Sequence, residues 1–247
     1  MAAARAGVPT ALVGAVGADE LGRSALEELR GEGIDVAGVA TVDAPSGVAG
    51  ITVDARGANR IAVASGANAL VDAALVRDRL SAIQAASSGV LLVNHELDDA
   101  ANAAAVAWAR ERSLAIVVNP APARPVPAPV LAAGPIVTPN RDEAVMLTGE
   151  PDPAAAAAAL AARSGASVVV TLGAEGALLH RSGEADAHVA APPVAAVDTT
   201  GAGDVPSGTL AAEMARGAGI AEAVVTAVTV AAAAVTVTGA RGRTQPP

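Results

Sequence analysis

The sequence predicts an α/β protein in which helices cover both faces of a mainly parallel sheet, with a small β lid added. Two observations predict this fold class. From Asn68 onward, short runs rich in Val, Ile and Leu alternate with longer runs rich in Ala. Between residues 34 and 64, in contrast, short β-like runs follow one another with turn residues and no helical run between them.

The first part of the chain predicts a helix end, a strand and a second helix. Residues 1–7 form a helix tail that closes at Gly7, and residues 10–16 form a buried strand. A Gly-x-x-Gly-x-Asp turn, residues 14–19, then leads into a helix over residues 20–32. This turn lacks the third glycine and the later acidic residue of a dinucleotide-binding fingerprint, so we do not assign that function.

The next part predicts the lid and then the alternating body. Three β-like runs, 36–42, 48–54 and 60–63, predict an antiparallel flap, and the lid as a whole spans about residues 35–64. The helices that follow are predicted at 71–87, 98–112, 140–147, 154–164, 207–216 and 220–237. The strands are predicted at 90–93, 114–118, 136–138 and 167–172, with a hairpin at 177–180 and 187–189. Residues 1–247 are interpreted as one domain.

Composition excludes several functions. All 16 basic residues are Arg, and a P-loop requires a lysine, so the chain has none. A net charge of -9 argues against a nucleic acid or an acidic membrane as a partner. The absence of Cys excludes disulfides and cysteine zinc sites. With no clear secretory signal and no run suited to span a bilayer, we expect a cytoplasmic protein without nucleic-acid or membrane partners.

The most informative stretch is residues 198–204, which read Asp-Thr-Thr-Gly-Ala-Gly-Asp and precede a helical run. Gly201 and Gly203 let a ligand approach the backbone, and free amides at a helix start attract an anion. Asp204 places a carboxylate at the same point. This arrangement suits a base that accepts the proton of a hydroxyl attacking a phosphate. Taken alone, a short glycine motif is more often only a loop, and the two aspartates would then only cap turns.

The whole string closely resembles the signature of the ribokinase-like (PfkB-type) sugar kinases, and the resemblance extends along nearly the whole chain. It implies transfer of the γ-phosphoryl group of ATP to a primary hydroxyl of a pentose. Ribose is favoured by the loop at residues 119–123, Asn-Pro-Ala-Pro-Ala. The implied ligands are ATP, Mg²⁺, a monovalent cation (K⁺) and the sugar. The resemblance also implies a homodimer formed through the lid.

The resemblance assigns roles to individual residues. Asp204 is implied as the base and is also implied to bind the sugar. The anion hole is implied to consist of the backbone amides of Gly201, Ala202 and Gly203. Glu96 is implied to bind sugar hydroxyls. The ATP-binding residues are implied to be Asn140, Thr171, Gly173, Gly176 and Gly203. Glu143 is implied to bind Mg²⁺ through water. Asp198 and Thr200 are implied to bind the monovalent cation. Residues 239–241 lie where the family closes its adenine and cation region.

Two departures from the family pattern leave alternatives open. Val205-Pro206 stands where the family usually has Thr-Phe. The family's first strand and its sugar-binding loop have no counterpart in this chain, so we expect a member truncated at the N-terminus. The alternatives are an inactive or incomplete nucleotide-binding member of the family, and a kinase for another sugar or for a nucleoside.

Overall fold

Parallel strands joined by helices form the centre of the molecule. The computed structural model describes residues 1–53, 59–199, 201 and 203–237. Its strands are β1 (Gly14–Gly17), β2 (Val39–Val42), β3 (Val48–Val53), β4 (Asn59–Ala64), β5 (Val90–Asn94), β6 (Ala115–Asn119), β7 (Ile136–Val137), β8 (Val168–Thr171), β9 (Ala177–His180) and β10 (Ala187–Val189). Its helices are α1 (Ala2–Arg5), α2 (Glu20–Gly31), α3 (Ala73–Ser81), α4 (Asp99–Glu111), α5 (Ala128–Leu131), α6 (Arg141–Thr148), α7 (Pro153–Ser164), α8 (Asp204–Ala215) and α9 (Ile220–Ala234).

The main sheet has six strands in the order β10-β9-β8-β7-β6-β5. Strands β5 to β8 are mutually parallel, whereas β9 and β10 continue the sheet antiparallel. The sheet is thus mainly parallel, and the predicted fold class is confirmed. Within the described ranges, no helix combines the length and the apolar character needed to cross a membrane.

The alternation of side chains along β6 explains why helices are needed on both faces. Ile116 and Val118 belong to a core that includes residues of α3, α4 and α5. Val117, which points the other way, belongs to a core shared with α8 and α9. Strand β8 behaves in the same manner, because Val169 joins the α8–α9 core while its two neighbours pack with α6 and α7. A strand that is apolar on both faces stays stable only when both are covered.

Of the three runs predicted to form the antiparallel flap, two pair as predicted. Strands β3 and β4 pair antiparallel, from Val48 opposite Ala64 to Val53 opposite Asn59. The run at 36–42 is different: β2 pairs in parallel with β1. The reason is that α2 lies between β1 and β2, and a helix provides the crossover that a parallel pair requires. The periodicity of a strand does not show which partner it takes.

Several predicted boundaries move. The strand predicted at 10–16 is regular only from Gly14, with a single bridge from Ala11 to Asp35 before it. The helix predicted at 71–87 is shorter, since α3 starts behind Asp72, which accepts hydrogen bonds from two helix amides, and ends at Ser81. Helix α5 was not predicted. Helix α8 begins at Asp204 and not at residue 207, because the fixed φ of Pro206 suits a first helical turn. Helix α9 ends at Ala234 and not at residue 237.

The Gly-x-x-Gly-x-Asp turn anchors the base of the lid. The Asp19 carboxylate accepts hydrogen bonds from the Gly22 amide (2.8 Å), the Ser46 amide (2.7 Å) and the Ser46 hydroxyl (2.6 Å). The Ser46 hydroxyl in turn accepts a bond from the Gly17 amide at 2.9 Å. These bonds lower the pKa of Asp19 to about 2, with the Ser46 hydroxyl as the largest cause. A Cβ at Gly17 would lie 2.3 Å from the Ala44 carbonyl oxygen, so only glycine fits there.

Candidate active site

The carboxyl ends of the parallel strands meet at one edge of the sheet, and polar residues follow each of them. Glu96 lies just after β5, and Asn119 ends β6. Thr138 follows β7, and Thr171 ends β8. Open parallel sheets bind ligands beyond this edge. The fold therefore gathers at one edge residues that lie up to 75 positions apart in the chain.

The first turn of α8 joins this edge. Gly203 is the N-cap residue and Asp204 the first helical residue, while Gly201 has a φ of 76°. The amides of Asp204 and Val205 both donate to the Gly201 carbonyl, at 3.1 and 3.3 Å. Among the described residues, no acceptor takes the amides of Gly201 and Gly203. Those two amides remain available to an anion, whereas Ala202 lies outside the described residues.

Asp204 differs from an ordinary surface aspartate. Water reaches its side chain, yet the surrounding protein atoms limit the hydration of the carboxylate and raise its pKa. The positive charge of the Met1 amino group acts in the opposite direction. No described residue donates a hydrogen bond to the carboxylate. A carboxylate with a raised pKa and free lone pairs can accept a proton from a substrate hydroxyl.

The start of α6 brings Asn140 and Glu143 together in a complete capping box. The Glu143 amide donates to Asn140 Oδ1 at 2.8 Å, and the Asn140 amide donates to a Glu143 carboxylate oxygen, also at 2.8 Å. Burial raises the pKa of Glu143, and the negative charges of Asp142 and Asp204 raise it further, against the bond from Asn140. The negative charge of Asp204 contributes to the raised pKa of Glu143, and a divalent cation near the two carboxylates would relieve their repulsion.

The predicted phosphate turn lies beside α6. A bridge connects Asn140 with Thr171, whose amide donates to the Pro139 carbonyl at 2.9 Å. Gly173 and Gly176 both have positive φ values, of 61° and 100°. A Cβ at Gly176 would lie 1.9 Å from the Val189 carbonyl oxygen, so a side chain cannot be placed there. The structure thus brings Asn140, Thr171 and Gly173 into one neighbourhood, and their role in binding ATP stays a prediction.

An ion pair closes this neighbourhood on the outside. Arg141 Nη2 lies 2.6 Å from Glu175 Oε1, which connects the first turn of α6 with the turn after β8. Both side chains are exposed. Exposed ion pairs contribute little to stability. The consequence of this pair is that it holds the Arg141 side chain next to the predicted phosphate turn.

Glu96 is exposed at the opposite end of the edge, directly after the buried His95. The Glu96 amide donates to Asn94 Oδ1 at 3.2 Å. The backbone here is tied to the loop at residues 119–123, because the His95 amide donates to the Ala121 carbonyl at 2.9 Å. Arg124 also donates to the carbonyls of His95 and Leu97. The carboxylate of Glu96 is consequently presented to solvent from a fixed backbone.

The predicted cation site is only partly described. Asp198 is half-buried, and its amide and that of Val197 donate to the Val235 carbonyl at the end of α9, at 3.1 and 2.8 Å. Thr200 and residues 239–241 lie outside the described residues. The monovalent-cation role of Asp198 and Thr200 stays a prediction.

Sequence reasoning missed a group of three polar side chains below the site. Asn119, Thr138 and Ser207 are buried and contact one another. In the sequence, Asn119 stood out only as part of the loop at residues 119–123. Thr138 was the end of a predicted strand, and Ser207 was the start of a predicted helix. The available signal was the position of Ser207 in a stretch of α8 made mostly of small and apolar residues.

Comparison with known proteins identifies the family. Residues 1–246 match the profile described as pfkB family carbohydrate kinase. Ribokinase from Haemophilus influenzae is 34% identical over 214 residues, which are 84% of this chain and 69% of that protein. Ribokinase from Thermotoga maritima superimposes with a TM-score of 0.84 at 30% identity, covering 97% of this chain and 79% of the other. Ribokinase from Arabidopsis thaliana, solved in complex with ribose and ATP, gives 0.85 at 26% identity, covering 98% and 80%.

The profile match extends over almost the whole chain, and the similarity to the Thermotoga maritima ribokinase covers 97% of it. The chain is a member of the pfkB family of carbohydrate kinases.

Proposed function

We propose that this protein phosphorylates ribose at its primary hydroxyl with ATP, giving ribose 5-phosphate and ADP. In this reaction the hydroxyl oxygen forms a bond to the γ-phosphorus of ATP. The bond from that phosphorus to the oxygen bridging to the β-phosphate breaks, and the hydroxyl proton passes to Asp204. The observation that carries the proposal is the Asp204 carboxylate, which has a raised pKa and no described donor. Beside it lie two amides, those of Gly201 and Gly203, for which the described residues provide no acceptor.

The choice of ribose rests on the relatives. Ribokinases occur repeatedly among the similar proteins, and the Arabidopsis thaliana relative was solved with ribose and ATP. The loop at residues 119–123 supports the same choice. Glu96, which follows β5 and is held next to this loop, is proposed to bind sugar hydroxyls.

The residues around α6 fit a Mg²⁺–ATP complex. Glu143 is half-buried, and its pKa is raised by burial and by like charges, so a cation nearby is electrostatically favoured. We propose that Asn140, Thr171, Gly173 and Gly176 bind the nucleotide and that Glu143 holds Mg²⁺ through water. When bound, Mg²⁺ neutralises charge on the phosphates. Asp198 with Thr200 is proposed to hold K⁺. A cytoplasmic location and a homodimer through the lid remain part of this proposal.

The test is ADP formation with Mg-ATP and K⁺ against ribose, fructose and a nucleoside, with the phosphorylated position assigned by NMR. We expect ribose-dependent turnover and a product phosphorylated at the primary hydroxyl. Asp204→Asn removes the carboxylate that would accept the proton while keeping a side chain of nearly the same size. Asp152→Asn is the matched control, because Asp152 caps α7 through a bond to the Ala155 amide at 2.9 Å and takes no part in the site.

Each other result contradicts a definite part of the proposal. A larger kcat/KM for fructose or for the nucleoside would overturn ribose as the substrate. ATP binding without sugar-dependent turnover would support the nucleotide-binding alternative. Full activity of Asp204→Asn would exclude Asp204 as the base.

A further inference from the structure

Three buried polar side chains meet where α8 touches the sheet. Asn119, Thr138 and Ser207 expose 8%, 3% and 3% of their surface. The Thr138 and Ser207 hydroxyl oxygens lie 3.0 Å apart, and Asn119 Nδ2 donates to Ser207 Oγ at 3.3 Å. We call these residues the polar cluster. It connects the end of β6, the residue after β7 and the first turns of α8.

The position of Ser207 relates the polar cluster to the base. Ser207 follows Asp204 by three positions, so both side chains lie on the same face of α8. The Ser207 hydroxyl also makes a longer contact of 3.4 Å with the carbonyl of Gly203, the N-cap residue. A helix held at Ser207 cannot rotate about its axis without moving Asp204. The polar cluster therefore fixes the position of the Asp204 backbone relative to the sheet.

The other two members relate the polar cluster to the predicted metal site. Asn119 Nδ2 also donates to the Thr138 carbonyl at 3.0 Å. Thr138 is separated by one proline from Asn140, which forms the capping box with Glu143. A single set of hydrogen bonds thus positions the start of α8 relative to the start of α6. In the proposed reaction, the start of α8 carries the base, Asp204, and the start of α6 carries Glu143, which is proposed to hold the cation that neutralises the phosphates. The separation of the two helix starts therefore sets the separation of the base and the cation.

The surroundings show that packing alone does not require these groups. A small cavity beside the polar cluster is lined mainly by apolar side chains, among them Pro206, Leu210 and Val224. Polar groups in such surroundings cost free energy unless they bond to one another, and the bonds that they form are directional. An alanine at position 207 would fill nearly the same space. What the serine hydroxyl adds is a set of directional hydrogen bonds that orient α8 on the sheet.

We propose that Ser207, held by Thr138 and Asn119, is a positioning residue that orients Asp204 toward the substrate hydroxyl. This inference rests on the proposed role of Asp204. The first test is Ser207→Ala, with the matched control Ser164→Ala. Ser164 is another buried serine, in α7, whose hydroxyl donates to the Leu160 carbonyl at 3.1 Å. We expect kcat to fall roughly ten- to a hundredfold in Ser207→Ala, because small misplacements of a catalytic group cost this much.

In the same variant, KM for ATP should stay near the wild-type value, and Tm should fall no more than in Ser164→Ala. Ser207→Thr should restore most of the lost kcat, since it keeps the hydroxyl group that bonds to Thr138 and Asn119. Equal kcat values for Ser207→Ala and Ser164→Ala would overturn the proposal. So would a loss of kcat that Ser207→Thr does not restore while its Tm is normal.

A double-mutant cycle separates positioning from general loss of structure. If Ser207 acts through Asp204, Ser207→Ala should have almost no further effect on kcat in an Asp204→Asn background. If the double variant instead loses kcat by the product of the two single fold losses, the positioning role of Ser207 is contradicted. The cycle also separates the two proposals: if Asp204→Asn alone is fully active, the base assignment fails first, whereas a strongly impaired Asp204→Asn with additive Ser207→Ala rejects only the positioning role.

Discussion

Asp19 and Asp204 both stand at the start of a helix, and their environments have opposite effects. Asp19 is the N-cap of α2, and its carboxylate accepts three hydrogen bonds, which lower its pKa to about 2. Asp204 is the first residue of α8, one position later relative to the helix, and restricted hydration raises its pKa. A carboxylate whose oxygens already accept hydrogen bonds from the protein holds two chain segments together. A carboxylate without such bonds can accept a proton from a substrate.

The difference teaches that a carboxylate at a helix start does not by itself indicate a base. Both aspartates belong to glycine-containing motifs in the sequence. What separates them is the presence of a partner from a distant segment: Ser46 lies 27 positions from Asp19 and occupies its oxygens. The following predictions test this distinction, from the largest expected effect to the smallest.

Exchanging each aspartate for asparagine should give opposite patterns. Asp204→Asn should lower kcat about a hundredfold to ten-thousandfold, the usual contribution of a general base. Its Tm at pH 7 should be unchanged or raised, because the folded state binds a proton at Asp204 more tightly than the unfolded state does. Asp19→Asn should lower Tm and affect kcat far less. ADP release and thermal unfolding on both variants measure this, and the same pattern in both would refute the distinction.

Glu143→Gln should mainly alter the response to Mg²⁺. Glutamine can still accept the bond from the Asn140 amide, so the capping box is retained while the negative charge is lost. We expect the Mg²⁺ concentration for half-maximal rate to rise about tenfold, as for other groups that hold a metal indirectly. The measurement is a Mg²⁺ titration of initial rates at saturating ATP. Asp142→Asn, on the same helix turn, is the control and should change this concentration less.

The pH profile should show the raised pKa of the base. The rate requires a deprotonated Asp204, so log kcat/KM should rise with pH through a midpoint above 3.8. The pKa of Glu143 is also raised above its usual 4.5, so two ionisations shape this acidic limb in the wild type. Glu143→Gln should leave a single ionisation. An acidic limb in the variant with its midpoint below 3.8 would contradict the assignment.

The smallest effect concerns acid stability at the lid base. The pKa of Asp19 is lower in the folded state than the usual 3.8. Its contribution to stability is therefore complete above pH 3.8 and is lost as the pH falls toward 2. Urea unfolding of the wild type at pH 7 and at pH 3 should show a drop that is smaller in Asp19→Asn. An equal drop in both proteins would show that Asp19 does not contribute.

Much of the fold and of the candidate site could be predicted from the sequence. Apolar runs such as those that form β6 and β8 predict buried parallel strands, and Asn140 with Glu143 predicts a helix start. These predictions succeed because each signal depends only on residues that are neighbours in the sequence. The stretch at residues 198–204 predicts a phosphate-binding turn with a carboxylate from equally local signals, and that role stays a prediction. The family and its kinase chemistry also followed from this stretch, and the comparisons confirm both.

Only the tertiary structure decided which distant residues meet. It paired β2 with β1 instead of with the lid, gave Asp19 the hydroxyl of Ser46, and left Asp204 without a described donor. It also brought Ser207 to Thr138, 69 positions away, and to Asn119, 88 positions away. Secondary structure is encoded by neighbours along the chain. The hydration and partners of a carboxylate, which set its pKa, depend on atoms that folding alone brings together.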